Sequence, residues 1–132
     1  MNGWIGVDLD GTLAEHYWPQ DGPFEFNRIG APVPRMVARV KSWLAEGKDV
    51  RIFTARADGG EVAIAMGASM GEHFRDVDRI VAIIQAWTLE HIGVKLSVTN
   101  KKDYGMIELW DDRAYRVIMN QGVRCCTHCE SY

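Results

Sequence analysis

Trp4-Ile5-Gly6-Val7-Asp8-Leu9-Asp10-Gly11-Thr12 is the stretch on which the reading of this chain turns. Trp4 to Val7 is apolar at every position, the pattern of a short strand buried on both faces, as in a parallel sheet. Asp8 and Asp10 then stand at the carboxyl end of that strand, which is where open α/β sheets bind their ligands. Gly11 permits the tight turn that lifts both carboxylates off the strand.

Working outward, Leu13 to Pro34 loses all periodicity. Its four prolines (Pro19, Pro23, Pro32 and Pro34), two glycines and interspersed Tyr17, Trp18, Phe24 and Phe26 read as a long loop or small hairpin flap, about 13–34. A helix is expected from Pro34 to Glu46, where Met36, Val37, Val40, Trp43 and Leu44 share a stripe and Gly47 follows the end. Asp49 to Thr54 is a second strand ending in a hydroxyl residue. Ala57 to Arg75 is rich in Gly, Ala and Met and suggests at most a short helical stretch around Val62 to Met66. A second helix spans Asp76 to His91, with Val77, Ile80, Ile84, Trp87 and His91 on one face and Gly93 closing it. Strands follow at Val94–Val98, Met106–Trp110 and Tyr115–Met119, then a polar tail, about 122–132. Strands alternating with helices imply an α/β fold: a Rossmann-like, three-layer architecture around a mostly parallel sheet. The expectation is one catalytic domain over 1–132, without internal repeats.

The chain has 132 residues, a net charge of −3, 47% hydrophobic and 25% charged residues, ordinary values that exclude disordered and fibrous classes. No apolar run approaches the roughly 18 residues of a membrane span, and the N-terminus has no basic region of a signal peptide. A cytoplasmic location without membrane contact is expected. The acidic balance gives no indication of nucleic acid as a partner, although a nucleic-acid end remains a possible substrate. Cys125, Cys126 and Cys129, with His128, crowd the tail. A zinc site normally draws on two separated clusters, and the second is absent, so exposed thiols near the terminus are expected.

The strand ends hold the chemistry. Asp8 and Asp10 follow the first strand, Thr54 the second, and Asp111 and Asp112 the fourth, with Lys101 and Lys102 in the loop before it. Four carboxylates on one rim repel one another and call for a cation. All-oxygen, hard donors without a closed cage favour Mg²⁺.

Asp8-Leu9-Asp10-Gly11-Thr12-Leu13 resembles the nucleophile motif of the haloacid dehalogenase-like (HAD) phosphohydrolase superfamily. Thr54, Lys102 and Asp111-Asp112 match that superfamily's other three motifs in order, so the resemblance covers Trp4 to Arg113. The stretches Asp8 to Ala14 and Trp110 to Ala114 also look similar to the phosphatase part of polynucleotide kinase-phosphatases and to deoxyribonucleotidases. The resemblance implies a Mg²⁺-dependent phosphomonoester hydrolase working through an aspartyl-phosphate. In it Asp8 is the nucleophile, and Asp10 binds metal through its carbonyl while its side chain is the acid and base. Thr54 bonds a phosphoryl oxygen, and Lys102 (or its neighbour Lys101) neutralises charge. Asp112 ligates the metal directly and Asp111 orients the outer shell. Gly11, Ala55, Arg56 and Arg113 are further candidates for substrate contact, with a surface role the simpler reading of both arginines.

Two other classes compete: a catalytically inactive, phosphate-binding module on the same fold, and a receiver-like phosphoacceptor. A receiver carries its acceptor after the third strand, where this chain has Ser97-Val98-Thr99-Asn100 and no acid before Asp103. No feature selects the phosphorylated substrate or the oligomeric state. Leu13 to Val33 and Ala55 to Arg75, about 20 residues each, are too short for an independent cap domain. An open site with broad, weak activity on small esters is therefore expected, with the true substrate larger or a partner chain completing the site.

Overall fold

The computed structural model describes residues 2–16, 27–58 and 77–125. They form β1 (Trp4–Val7), α1 (Pro34–Ala45), β2 (Asp49–Phe53), a 3-10 turn (Ala55–Asp58), α2 (Val77–His91), β3 (Ser97–Thr99) and β4 (Met106–Trp110). The strands make one four-stranded sheet in the order β3-β2-β1-β4, and every pairing is parallel. The expected α/β class and parallel sheet are therefore present. No helix among the described residues is long and apolar enough to cross a membrane.

β1 lies inside the sheet, and alternation divides its side chains between two faces. Ile5 and Val7 pair with Val50 and Ile52 and meet Met36 and Val40 of α1 and Ile80, Ile84 and Trp87 of α2 in one buried cluster. Both helices thus serve the same face. Pro34 opens α1, where its missing N–H costs nothing. Trp43 of α1 packs on Trp110 of β4 with ring centroids 5.2 Å apart, and the Arg39 guanidinium lies over the same indole.

On the other face the described covering is a loop, not a helical layer. Residues 100–105 carry the chain from β3 at one edge to β4 at the other. The Trp4 indole N–H donates to Asp103 Oδ1 at 2.8 Å, the Trp4 backbone N–H donates to the Gly105 carbonyl, and the Arg51 guanidinium lies 4.7 Å from the Trp4 ring. The bonds from the Trp4 indole and the Gly105 N–H hold the Asp103 carboxyl below its ordinary range. A three-layer arrangement is thus not part of the described structure.

Two expectations about strands need correcting. The third strand begins at Ser97, not Val94, because Gly93 takes a left-handed φ of +103° and Leu96 is tied back to α2. Tyr115–Met119 is not a strand of the sheet. A local turn claims its backbone: the Ile118 N–H donates to the Val123 carbonyl and the Cys125 N–H to the Arg116 carbonyl, with Asn120 and Gly122 at positive φ. Tyr115, Val117, Ile118 and Met119 consequently remain exposed. The central part of the flap (17–26), with Tyr17, Trp18, Phe24 and Phe26, the stretch 59–76 and the tail 126–132 lie outside the described residues. At the flap's stem, the Glu15 N–H donates to the Ala31 carbonyl and the Val33 N–H to the Leu13 carbonyl.

Thr88 joins α2 to β3. Fully buried, its hydroxyl donates to the Gln85 carbonyl at 3.0 Å and accepts the Leu96 N–H at 3.1 Å. Thr88→Val keeps the shape but strands a buried N–H, and should destabilise the fold by about 1–3 kcal/mol in urea unfolding. A loss below about 0.5 kcal/mol would show that the anchor is dispensable.

Candidate active site

The parallel pairing of β1 with β4 decides where the acids meet. Val7 lies beside Trp110, and the Asp8 N–H donates to the Trp110 carbonyl at 2.9 Å. The residues that follow each strand therefore leave the sheet side by side. Carboxylate oxygens of Asp8, Asp111 and Asp112 all lie within 4.8 Å of one another, an arrangement that can hold a metal ion. Thr12 stitches the two strand ends: its hydroxyl lies 3.3 Å from Asp112 Oδ1 and accepts the Asp112 N–H at 3.1 Å. The Arg113 N–H in turn donates to Asp111 Oδ1 at 2.7 Å and fixes that carboxylate.

Gly11 is required by the approach of Asp112. Its φ is +90°, and a Cβ there would stand 2.6 Å from Asp112 Oδ2. Only glycine fits both the backbone and the space. Leu9 and Leu13, both fully buried, clamp the turn to the core from below.

Asp10 departs from the expected cluster of four. Its carboxylate is turned to Arg56, which donates from Nε to Oδ2 at 2.8 Å and from Nη2 to Oδ1 at 2.6 Å. Arg56 Nη2 also donates to the Arg28 carbonyl at 2.9 Å, and the Arg56 N–H to Thr54 Oγ1 at 3.2 Å. The Arg56 side chain is only 3% exposed and that of Asp10 18%. Arg56 is thus a buried partner of the motif, not the surface arginine that its residue type suggests. A bidentate guanidinium–carboxylate pair is among the stronger and more directional contacts a protein makes.

Asp8, Asp10, Thr54, Ala55, Arg56, Asp111 and Arg113 line one cleft of about 390 Å³, together with His16, Phe53 and Asp58. His16 and Asp58 escaped the sequence reading, since an isolated His in a loop and an Asp four residues beyond a strand carry no pattern. Lys101 and Lys102 are exposed on the crossover, and neither is among the residues lining this cleft. Cys125 is partly buried, while Cys126, His128 and Cys129 lie outside the described residues. A larger hollow of about 920 Å³ lies around Trp4, Arg51 and Asp103, toward the amino ends of the strands. Size does not make it the better candidate, because the convergent acids and the buried pair are at the opposite pole.

The electrostatics of the cleft follow from the cluster. Burial, the hydrogen bond with Asp112 and the charges of Asp111 and Asp112 push Asp8 up from 3.8 to about 8. Without a cation the acids cannot all ionise cheaply, and the group under most strain is the one at the end of β1. No family model, curated protein or solved structure matches this chain.

This shift has a thermodynamic consequence. In EDTA the folded chain keeps on Asp8 a proton that the unfolded chain releases, so stability falls as pH rises from about 4 to about 8. Asp8→Asn removes that contribution. Discounted for the solvent that reaches the group, the gain at pH 8 should be at least about 1 kcal/mol, roughly 3 °C in Tm for a domain of this size. The Tm difference between variant and wild type should widen from pH 4 to pH 8; a constant difference would show that Asp8 is not strained by its neighbours.

Proposed function

We propose that this chain is a Mg²⁺-dependent phosphomonoester hydrolase of the HAD-like kind, acting through an aspartyl-phosphate on Asp8. The observation that carries the reading is the gathering of Asp8, Asp111 and Asp112 into one cation-competent cluster, in a cleft that also holds Asp10 and Thr54. The fit to a divalent ion rests on the donors themselves. They are hard oxygens from two adjacent strand ends, and their mutual repulsion raises Asp8 to about 8. Bound there, Mg²⁺ supplies the positive charge that ionises Asp8 and lets a carboxylate and a phosphate approach.

The residues divide the work as follows. An Asp8 carboxylate oxygen forms a bond to phosphorus as the ester P–O bond breaks, and Asp10 gives its proton to the leaving oxygen. In the second step Asp10 takes a proton from water, the water oxygen bonds to phosphorus, and the Asp8 O–P bond breaks to release inorganic phosphate. Thr54 Oγ1 accepts the Arg56 N–H, which leaves its own hydroxyl hydrogen to donate to a phosphoryl oxygen. Arg113 lines the cleft and so joins Lys102 as a candidate to neutralise charge on the phosphoryl group. After β4, Asp112 would hold the ion directly and Asp111, whose carboxylate also lies in the cluster, would orient its shell. The flap and the stretch after the 3-10 turn, about 20 residues each, are too short for an independent cap domain, which fits broad, weak activity on small esters with the true substrate larger or a partner chain completing the site.

Asp8→Asn should lower turnover of an aryl phosphate by on the order of 10³-fold or more, with the far-UV spectrum unchanged, and EDTA should abolish wild-type turnover reversibly. Activity of the variant above a few per cent of wild type would remove Asp8 as the nucleophile. Wild-type turnover that persists in EDTA would remove the metal.

A further inference from the structure

Arg56 joins two separate parts of the chain at one guanidinium, and its own backbone is pinned at the end of β2. It holds both oxygens of Asp10 from the turn after β1, it holds the Arg28 carbonyl from the stem of the flap, and its backbone N–H is held by Thr54 at the end of β2. Each of these contacts restricts a different freedom. The two N–H···O bonds fix the plane of the Asp10 carboxylate, the Arg28 carbonyl fixes the guanidinium, and burial of the arginine side chain removes its alternative rotamers. Desolvating an arginine is costly, and a pair worth little to stability is retained more readily where it fixes a geometry. Resting on the hydrolase reading above, we infer that Arg56 is the positioning residue for the acid and base of the reaction, Asp10, and acts chiefly on the hydrolytic second step. The fork fixes where both Asp10 oxygens point, which sets the line along which a water proton can reach them.

This assignment separates the two chemical steps. With an activated aryl phosphate the leaving group needs little protonation, so the first step depends weakly on Asp10, whereas release of phosphate depends on it fully. Rapid-quench assays of wild type, Arg56→Lys, Arg56→Gln, Asp10→Asn and the Asp10→Asn/Arg56→Gln double variant test this, with melting temperatures measured alongside. Arg56→Lys retains a cation but loses the fork. The expected result is an aryl-alcohol burst within about 3-fold of the wild-type rate, followed by steady turnover reduced about 10- to 100-fold, part of the range that acid–base catalysis covers. Phospho-enzyme should accumulate. In the Asp10→Asn background, which leaves no buried carboxylate unpaired, Arg56→Gln should cost less than about 3-fold more, as for groups that act as a unit. A burst and turnover that fall together, or an equal loss from Arg56→Gln with Asp10 or Asn at position 10, would overturn the inference and assign Arg56 to folding alone. If wild type turns over and Asp8→Asn does not, yet the Arg56 variants match wild type, this inference fails and the hydrolase reading stands. A wild type without Asp8-dependent hydrolysis overturns both.

Discussion

Everything at the candidate site depends on one strand pairing. β4 lies directly against β1, parallel and in a register that sets Trp110 beside Val7, so Asp8 and the Asp111-Asp112 pair emerge at the same rim. A one-residue slip would turn Trp110 away from Trp43 and carry the acids off the cleft. The pairing is itself reached by a short crossover rather than a helix, and the Trp4–Asp103 bond holds that crossover across the sheet. The indole and the acids therefore sit at opposite poles of the same two strands and are mechanically linked. The repulsion among the carboxylates is the cost of this convergence, and the raised Asp8 marks where it falls.

The described residues treat the acids of the two strand ends differently. Asp10 has Arg56, while Asp8, Asp111 and Asp112 have one another and a threonine hydroxyl. Such a division is chemically informative. An acid already matched by a guanidinium does not need a metal ion on its carboxylate, whereas three carboxylates gathered within 4.8 Å can hold one. The site is built from two differently charged halves, one suited to holding a divalent ion and the other to holding a proton donor and acceptor in a fixed plane.

Much of this was legible in the sequence, for physical reasons. β1 and β4 carry enough apolar character, and sit close enough to their acids, that their limits and the cluster at their ends could be read directly. α1 and α2 announced themselves through stripes that bury Met36 and Val40, and Ile80, Ile84 and Trp87. Tyr115 to Met119 misled because apolar alternation says that a segment can pair, not that a strand is there to receive it. Asn120 and Gly122 closed a local turn instead. Arg56 was legible as a candidate for substrate contact, but not its burial or its pairing with Asp10: an arginine's residue type favours the surface, and only the fold brings Asp10 to it. Lys102 matches a motif spacing, and its exposed side chain on the crossover leaves the reach of its ammonium group open.

The central claim is that Asp8, Asp111 and Asp112 form one divalent-cation site. Anomalous diffraction from crystals soaked in Mn²⁺, an oxygen-seeking substitute for Mg²⁺, measures this directly. A single strong peak is expected among the three carboxylates, about 2.0–2.3 Å from oxygens of Asp8 and Asp112 as hard-cation bonding requires, with the Arg56–Asp10 pair intact beside it. A cleft without a peak at Mn²⁺ concentrations that occupy other sites, or a peak held by Asp10 in place of Asp112, would contradict it.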